Sequence, residues 1–258
     1  MSERTSAGAY FWAIFCVALL AALLAGCGAA NAPSSPTATL PPTFASATPT
    51  ANGAARVRYV ALGASDAVGV GASDPNHTAY VPLIIARLPT GSSALNLGIS
   101  GETLHGALTD ELPQAIQAQP TLVTVWLVGN DFKGCVPLSQ YTADLNTLLT
   151  QLQTRTSAKI FVANAPDFSA LPAIQVAVAQ GQACGYTSLS AVRAATIQWN
   201  QAIAASVAAH HDTLVDLYNS DLAAHPDDIS SDGFHPSDAG YQTLANLFWS
   251  AITAQHAA

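Results

Sequence analysis

Four short blocks carry the residue types that acyl transfer uses. Gly63-Ala64-Ser65 offers a hydroxyl, and Asn96-Leu97-Gly98-Ile99-Ser100-Gly101 offers backbone that a ligand can approach closely. Gly129-Asn130-Asp131 offers a side-chain amide, and Asp232-Gly233-Phe234-His235-Pro236 a carboxylate and an imidazole. A serine hydroxyl is a weak nucleophile and needs a base within hydrogen-bond reach, a role that suits His235. Asp232, just before it across a Gly-containing turn, can hold the second ring nitrogen and fix the tautomer. A tetrahedral oxyanion then needs donors. The backbone N–H of Ser65, the N–H of Gly101 and the Asn130 amide can supply them, and Gly101 has no Cβ to keep a substrate away.

Each block also has a plainer use. Ser65 suits a phosphate-cradling loop of a flavodoxin-type fold or an ordinary turn. Asn130-Asp131 suits an Asx turn, His235 a surface histidine beside a helix cap, and Gly98 and Gly101 turns alone. What favours chemistry is their joint occurrence, each just past the end of an apolar run.

Those runs are the elements that must position the blocks. Residues 57–62, 94–97, 121–128, 159–163 and 213–217 read as strands, and TLVTVWLV at 121–128 is apolar enough for a central parallel strand covered on both faces. Helices are expected at 80–88, 104–117, around 141–152, at 188–210 and around 241–252, with Ser237 as the N-cap of the last. Residues 167–186 read as a long irregular stretch in which Phe168, Leu171 and Pro172 suit one wall of a substrate pocket. Strands alternating with helices imply a three-layer α/β/α domain with a five-stranded parallel sheet. In such sheets ligands bind beyond the carboxyl ends of the strands, where all four blocks lie.

The order Ser, Gly, Asn, Asp-x-x-His over residues 57–248 resembles the SGNH (GDSL-type) hydrolase family, most specifically in DGFHPSDAGY. The resemblance implies a flavodoxin-like fold, Ser65 as nucleophile, and Asp232 and His235 as the rest of a triad. It also implies Ser65, Gly101 and Asn130 as an oxyanion hole, and carboxylic esters as substrates. Lipids, lysophospholipids, acetylated polysaccharides and small esters are all compatible. The nucleophile block departs from the family, which has Asp before the serine and an apolar residue after it, where this chain has Ala64 and Asp66. A non-catalytic surface binding or adhesion domain on the same scaffold is the alternative; retention of all four catalytic residue types argues against it. A classical α/β-hydrolase is disfavoured because no Gly-x-Ser-x-Gly occurs.

The amino-terminal quarter has a different character. Residues 11–24 are a continuous apolar run, too short for a comfortable membrane span, and end in Leu24-Ala25-Gly26-Cys27, which resembles the lipobox of bacterial lipoproteins. An ordinary signal peptide or an uncleaved anchor would share the apolar run. The lipobox implies a signal at 1–26 and lipidation of Cys27, which would become the new first residue. Residues 27–55 form a tether of Ala, Pro, Ser and Thr without charge, able to span up to ~90 Å if extended. Residues 56–258 are the folded domain. The expected location is the outer face of a bacterial membrane, at the cell surface or in the periplasm.

Half of the 258 residues are hydrophobic and 9% charged, which allows a large core and excludes disorder of the whole. With 8 Lys and Arg and a net charge of -8, nucleic acid is excluded as a partner. The partners expected are an ester substrate and the membrane, the domain being a monomer. The chemistry asks for no cofactor, and no Cys and His cluster has metal-ligand spacing. Of four cysteines, Cys16 leaves with the signal and Cys27 takes lipid. Cys135 and Cys184 remain, as a disulfide or as two buried thiols.

Overall fold

The computed structural model describes residues 56–220, 222 and 225–255. The expected signal segment 1–26, Cys27 and the tether 27–55 lie outside the described residues. From Arg56 the chain runs through β1 (Arg58–Gly63), α1 (Ser65–Val68), α2 (Tyr80–Ile85), β2 (Ser93–Asn96), α3 (Leu104–Asp110) and α4 (Leu112–Gln117). It continues through β3 (Leu122–Trp126), α5 (Gly129–Lys133), α6 (Leu138–Arg155) and β4 (Lys159–Ala163). The last elements are α7 (Pro172–Ala179), α8 (Leu189–Ala209), β5 (Thr213–Val215) and α9 (Asp238–Ala254).

All strand pairs are parallel, in the order β2-β1-β3-β4-β5. The step from β1 to β2 therefore runs opposite to the steps from β3 to β5. Right-handed crossovers then send α2 to one face of the sheet, where it packs on α9, and α3, α4, α6 and α8 to the other. This is the three-layer α/β/α arrangement expected from the sequence. The reversal between β1 and β3 opens a crevice beyond their carboxyl ends. β3 is buried at every residue, as its unbroken apolar run requires under two helical layers.

Two expectations need correction. The helix anticipated over 104–117 is broken at Glu111 into α3 and α4, because Pro113 lacks an N–H and its ring opposes the preceding turn. The stretch expected to be irregular holds a 3-10 turn (Phe168–Ala170) and the helix α7, which Pro172 starts at its first turn. α7 buries only Ile174, so it carries no apolar stripe for a periodicity reading to detect. No described helix is long and apolar enough to cross a membrane.

Candidate active site

The four blocks converge where β1 and β3 end. α1 begins at Ser65 directly after β1, so the serine is buried at its start with its hydroxyl facing the crevice side. His235 Nε2 lies 2.8 Å from Ser65 Oγ, and His235 Nδ1 lies 2.6 Å from Asp232 Oδ2. Gly233, at φ +75°, makes the reversal that lets Asp232 and His235 face each other. The other carboxylate oxygen, Asp232 Oδ1, accepts from the N–H groups of Phe234 and His235 at 2.8 and 2.9 Å and from Ser230 Oγ at 2.9 Å. Burial works against ionisation of Asp232, but the His235 ring and these donors outweigh it and hold its carboxyl down at about 2. The carboxylate is therefore ionised at every working pH and aimed at one imidazole nitrogen.

Gly101 sits at φ +86° in the turn after β2, and a Cβ there would meet nothing within 4 Å. That backbone conformation is what calls for glycine. Among the described residues no protein group accepts from the N–H of Ser65 or of Gly101. Asn130, in α5, donates through Nδ2 to the Glu102 carbonyl at 2.8 Å, so one amide hydrogen anchors the Gly101 turn and the other remains for a ligand. Its neighbour Asp131 is fully buried and accepts from the Leu104 N–H at 2.8 Å. Burial is the main cause that lifts the Asp131 carboxyl to about 6, against the pull of that hydrogen bond. Asn130 and Asp131 together thus clamp both sides of the loop that carries Gly101.

A cleft open to solvent adjoins these donors. Trp126, Phe168, Leu171, Ile229 and Phe234 give it an apolar lining, with Ser65 and Asn130 at its edge. Phe168 and Leu171 thus form the wall that the sequence suggested, whereas Pro172 lies behind it, against Gly233. The wall is backed by Phe132, whose ring lies 4.7 Å from that of Phe168 and 5.4 Å from that of Trp199. A disulfide joins Cys135 and Cys184 with the Cα atoms 5.4 Å apart, linking the segment after α5 to the segment after α7.

Two further carboxyl groups lie in this region: Glu111, to which the sequence pointed no site role, and Asp66, which the sequence places beside the serine as a negative charge that disfavours anionic substrates or favours protonation of His235. Glu111 is fully buried behind β1 and accepts from the Gly63 N–H at 2.9 Å. Burial is the main cause that raises its carboxyl to about 8, and Oε1 has no protein partner among the described residues. A signal was present: Leu104, Ala107, Glu111 and Ala115 share one helical face, and all four are buried. Asp66 is half-buried and, among the described residues, is the one charged side chain lining the cleft. Burial pushes its carboxyl up to about 6, while His235 and Lys133 pull it down and Asp232 pushes it further up.

The sequence profile of the GDSL-like lipase/acylhydrolase family matches residues 61–243. No curated protein matches the chain. Among solved structures, a psychrotrophic esterase from Pseudoalteromonas sp. superposes with a TM-score of 0.60 at 17% identity, over 78% of this chain and 99% of that one. A phospholipase A1 from Streptomyces albidoflavus NA297 superposes at 0.55 with 19% identity, over 76% and 100% of the two chains. An acetylxylan esterase from Geobacillus stearothermophilus does so at 0.58 with 19% identity, over 76% and 94%. At these identities the likeness is one of fold.

Proposed function

The chain belongs to the GDSL-like lipase/acylhydrolase family and is an ester hydrolase, and from that premise we propose that it cleaves esters of apolar acyl chains through an acyl-enzyme on Ser65. The observation that carries this reading is the hydrogen-bonded line Ser65 Oγ, His235, Asp232, with the apolar cleft beside it.

Ser65 Oγ attacks the ester carbonyl carbon while His235 Nε2 takes the hydroxyl proton. Asp232 accepts from the His235 Nδ1–H, which keeps Nε2 free to act as the base and stabilises the imidazolium that forms. The carbonyl oxygen becomes an oxyanion, received by the N–H groups of Ser65 and Gly101 and the second Asn130 amide hydrogen. Collapse breaks the bond to the alcohol, which leaves with the proton from His235. Water, deprotonated by the same imidazole, then attacks the acyl-Ser65 ester. The second collapse releases the carboxylic acid and returns the proton to Ser65 Oγ.

Hydrolysis of p-nitrophenyl butyrate by the domain, abolished in Ser65→Ala with the fold intact by circular dichroism, is the test. Equal rates in the two proteins overturn the role of Ser65.

The same proposal places the enzyme on a membrane through a lipidated Cys27, with residues 27–55 as its tether. Its support is the Leu24-Ala25-Gly26-Cys27 motif at the end of the apolar run. Incorporation of labelled palmitate in a bacterial host, lost in Cys27→Ser, tests it; a secreted, unlabelled wild type overturns it.

A further inference from the structure

Among the described residues the cleft beside Ser65 is lined by aromatic and aliphatic side chains, by the neutral polar Ser65 and Asn130, and by one carboxylate. Asp66 follows the nucleophile directly and lines the cleft together with Trp126, Phe168 and Phe234. Among the described residues no other side chain donates a hydrogen bond to its carboxylate; its own backbone N–H is the donor that acts on it, which leaves acceptor capacity for a ligand. Asp232 differs sharply, since it is saturated by four donors. The charges that act on Asp66 are His235, Asp232 and Lys133. Lys133 is exposed and lies over the Phe234 ring, 5.0 Å from its centroid, at the outer side of the cleft. A carboxylate set among aromatic faces is the chemistry that receives organic cations, by charge and by cation–π attraction. It repels an anion placed in the same volume.

We propose that Asp66 is a specificity-determining residue that ranks ester substrates by charge, favouring those with an ammonium group close to the ester bond over neutral ones, and neutral ones over anionic ones. The proposal rests on the ester-hydrolase reading above and names the substrate class of that site. Ionised Asp66 attracts the ammonium both in the bound ester and in the transition state, so the preference is read in kcat/KM. A single charge a few ångströms away in a partly dry cleft is worth about tenfold in that ratio.

The experiment compares butyrylcholine with its uncharged isostere 3,3-dimethylbutyl butyrate and with the sulfonate-bearing 3-sulfopropyl butyrate, at pH 8 and low salt. Three proteins are used: wild type, Asp66→Asn and Lys133→Gln. The choline-to-isostere ratio of kcat/KM is expected to exceed 1 in wild type and to fall about tenfold in Asp66→Asn. It is expected to rise in Lys133→Gln, which removes the opposing cation without touching the nucleophile turn. The sulfonate ester is expected to gain relative to the isostere in Asp66→Asn. A wild-type ratio of 1 or less, or a ratio unmoved in Asp66→Asn, overturns the charge ranking. Hydrolysis of the neutral isostere with no charge ranking leaves the ester-hydrolase reading standing alone. Inertness toward all three esters and toward p-nitrophenyl butyrate overturns both.

Discussion

Asn130 donates one amide hydrogen to the Glu102 carbonyl at 2.8 Å and so ties α5 to the turn that presents Gly101. Two of the three proposed oxyanion donors are thereby set at a fixed spacing by a single side chain. Asn130→Ala removes one donor and loosens another at the same time. The expected loss is on the order of 10²–10³ in kcat, with KM for p-nitrophenyl butyrate nearly unchanged. Asn130→Asp keeps the size of the side chain while losing the same two donated hydrogen bonds, since its carboxylate cannot donate to the Glu102 carbonyl or to an oxyanion. A kcat within twofold of wild type in either variant rules out an oxyanion role for this side chain.

The carboxylate of the proposed triad gives a second expectation. Asp232 holds the His235 ring through Oδ2 and the backbone of its own turn through Oδ1. Asp232→Asn keeps the size but presents an N–H or a weak acceptor to Nδ1, which favours the wrong tautomer. Activity at pH 7 is expected to fall by roughly 10³–10⁴ while the thermal midpoint moves little. The Asp232 carboxyl is lowered from its ordinary 3.8 to about 2, so its ionised form stabilises the fold above pH 3.8. That contribution is lost only as pH falls from 3.8 toward 2. Any acidic limb of the pH–rate profile above pH 4 must therefore belong to another group, and a limb that disappears in Asp232→Asn contradicts this assignment.

The triad and oxyanion candidates were legible because short motifs at strand ends fix both chemistry and place. Ser65 and Asn130 each directly follow an apolar run whose end can be read from composition alone, and the Asp232 and His235 pair stands just before the last helix, whose start Ser237 marks. Glu111 was not read, since a lone carboxylate on a helix looks solvated until the helix is known to pack behind β1. α7 escaped for the opposite reason, having a Pro start and no buried stripe. The cleft lining was half legible. Phe168 and Leu171 lie in one local stretch, whereas Trp126, Ile229 and Phe234 meet them only through the sheet order and the turn before α9.

Glu111 makes stability depend on pH in an unusual direction. Its carboxyl ionises at about 8 in the folded chain and at an ordinary 4.5 when exposed, burial being the main cause. Between those values the folded state holds the extra proton, so stability falls as pH rises through the window and levels off above it. Glu111→Gln keeps an acceptor for the Gly63 N–H and removes the ionisation. Thermal midpoints measured from pH 5 to 9 should show wild type losing ground to the variant by roughly 8–16 °C across the window. Parallel curves for the two proteins sink the idea.

The disulfide has a separable effect on the fold. Cys135 and Cys184 close a loop with a sequence separation of 49, which includes α6, β4 and α7. Closing a loop of this size in the unfolded chain is worth about 4 kcal/mol in the chain-entropy account. Replacing both cysteines by serine should lower the thermal midpoint by roughly 8–16 °C at that magnitude. Reductant should reproduce the drop in wild type and leave the double variant unmoved; a reductant-insensitive wild type speaks against a stabilising bridge.

The apolar cleft sets the last expectation, which concerns chain length. Phe168, Leu171, Ile229 and Phe234 line it together, and the Phe132 ring packed against Phe168 resists widening of that wall. Each acyl CH₂ that enters such a lining and leaves water gains about 0.8 kcal/mol, or roughly fourfold in kcat/KM. Along the p-nitrophenyl series from acetyl to hexanoyl, kcat/KM should therefore climb until the cleft is filled. Leu171→Trp adds bulk to one wall and should leave acetyl turnover within a fewfold while cutting hexanoyl turnover by tenfold or more. The neighbouring charge gives an internal control, because Asp66→Asn should change the ranking of charged esters without altering the chain-length trend. A flat chain-length profile in wild type, unchanged by Leu171→Trp, places the acyl group elsewhere on the surface and removes the cleft from substrate selection.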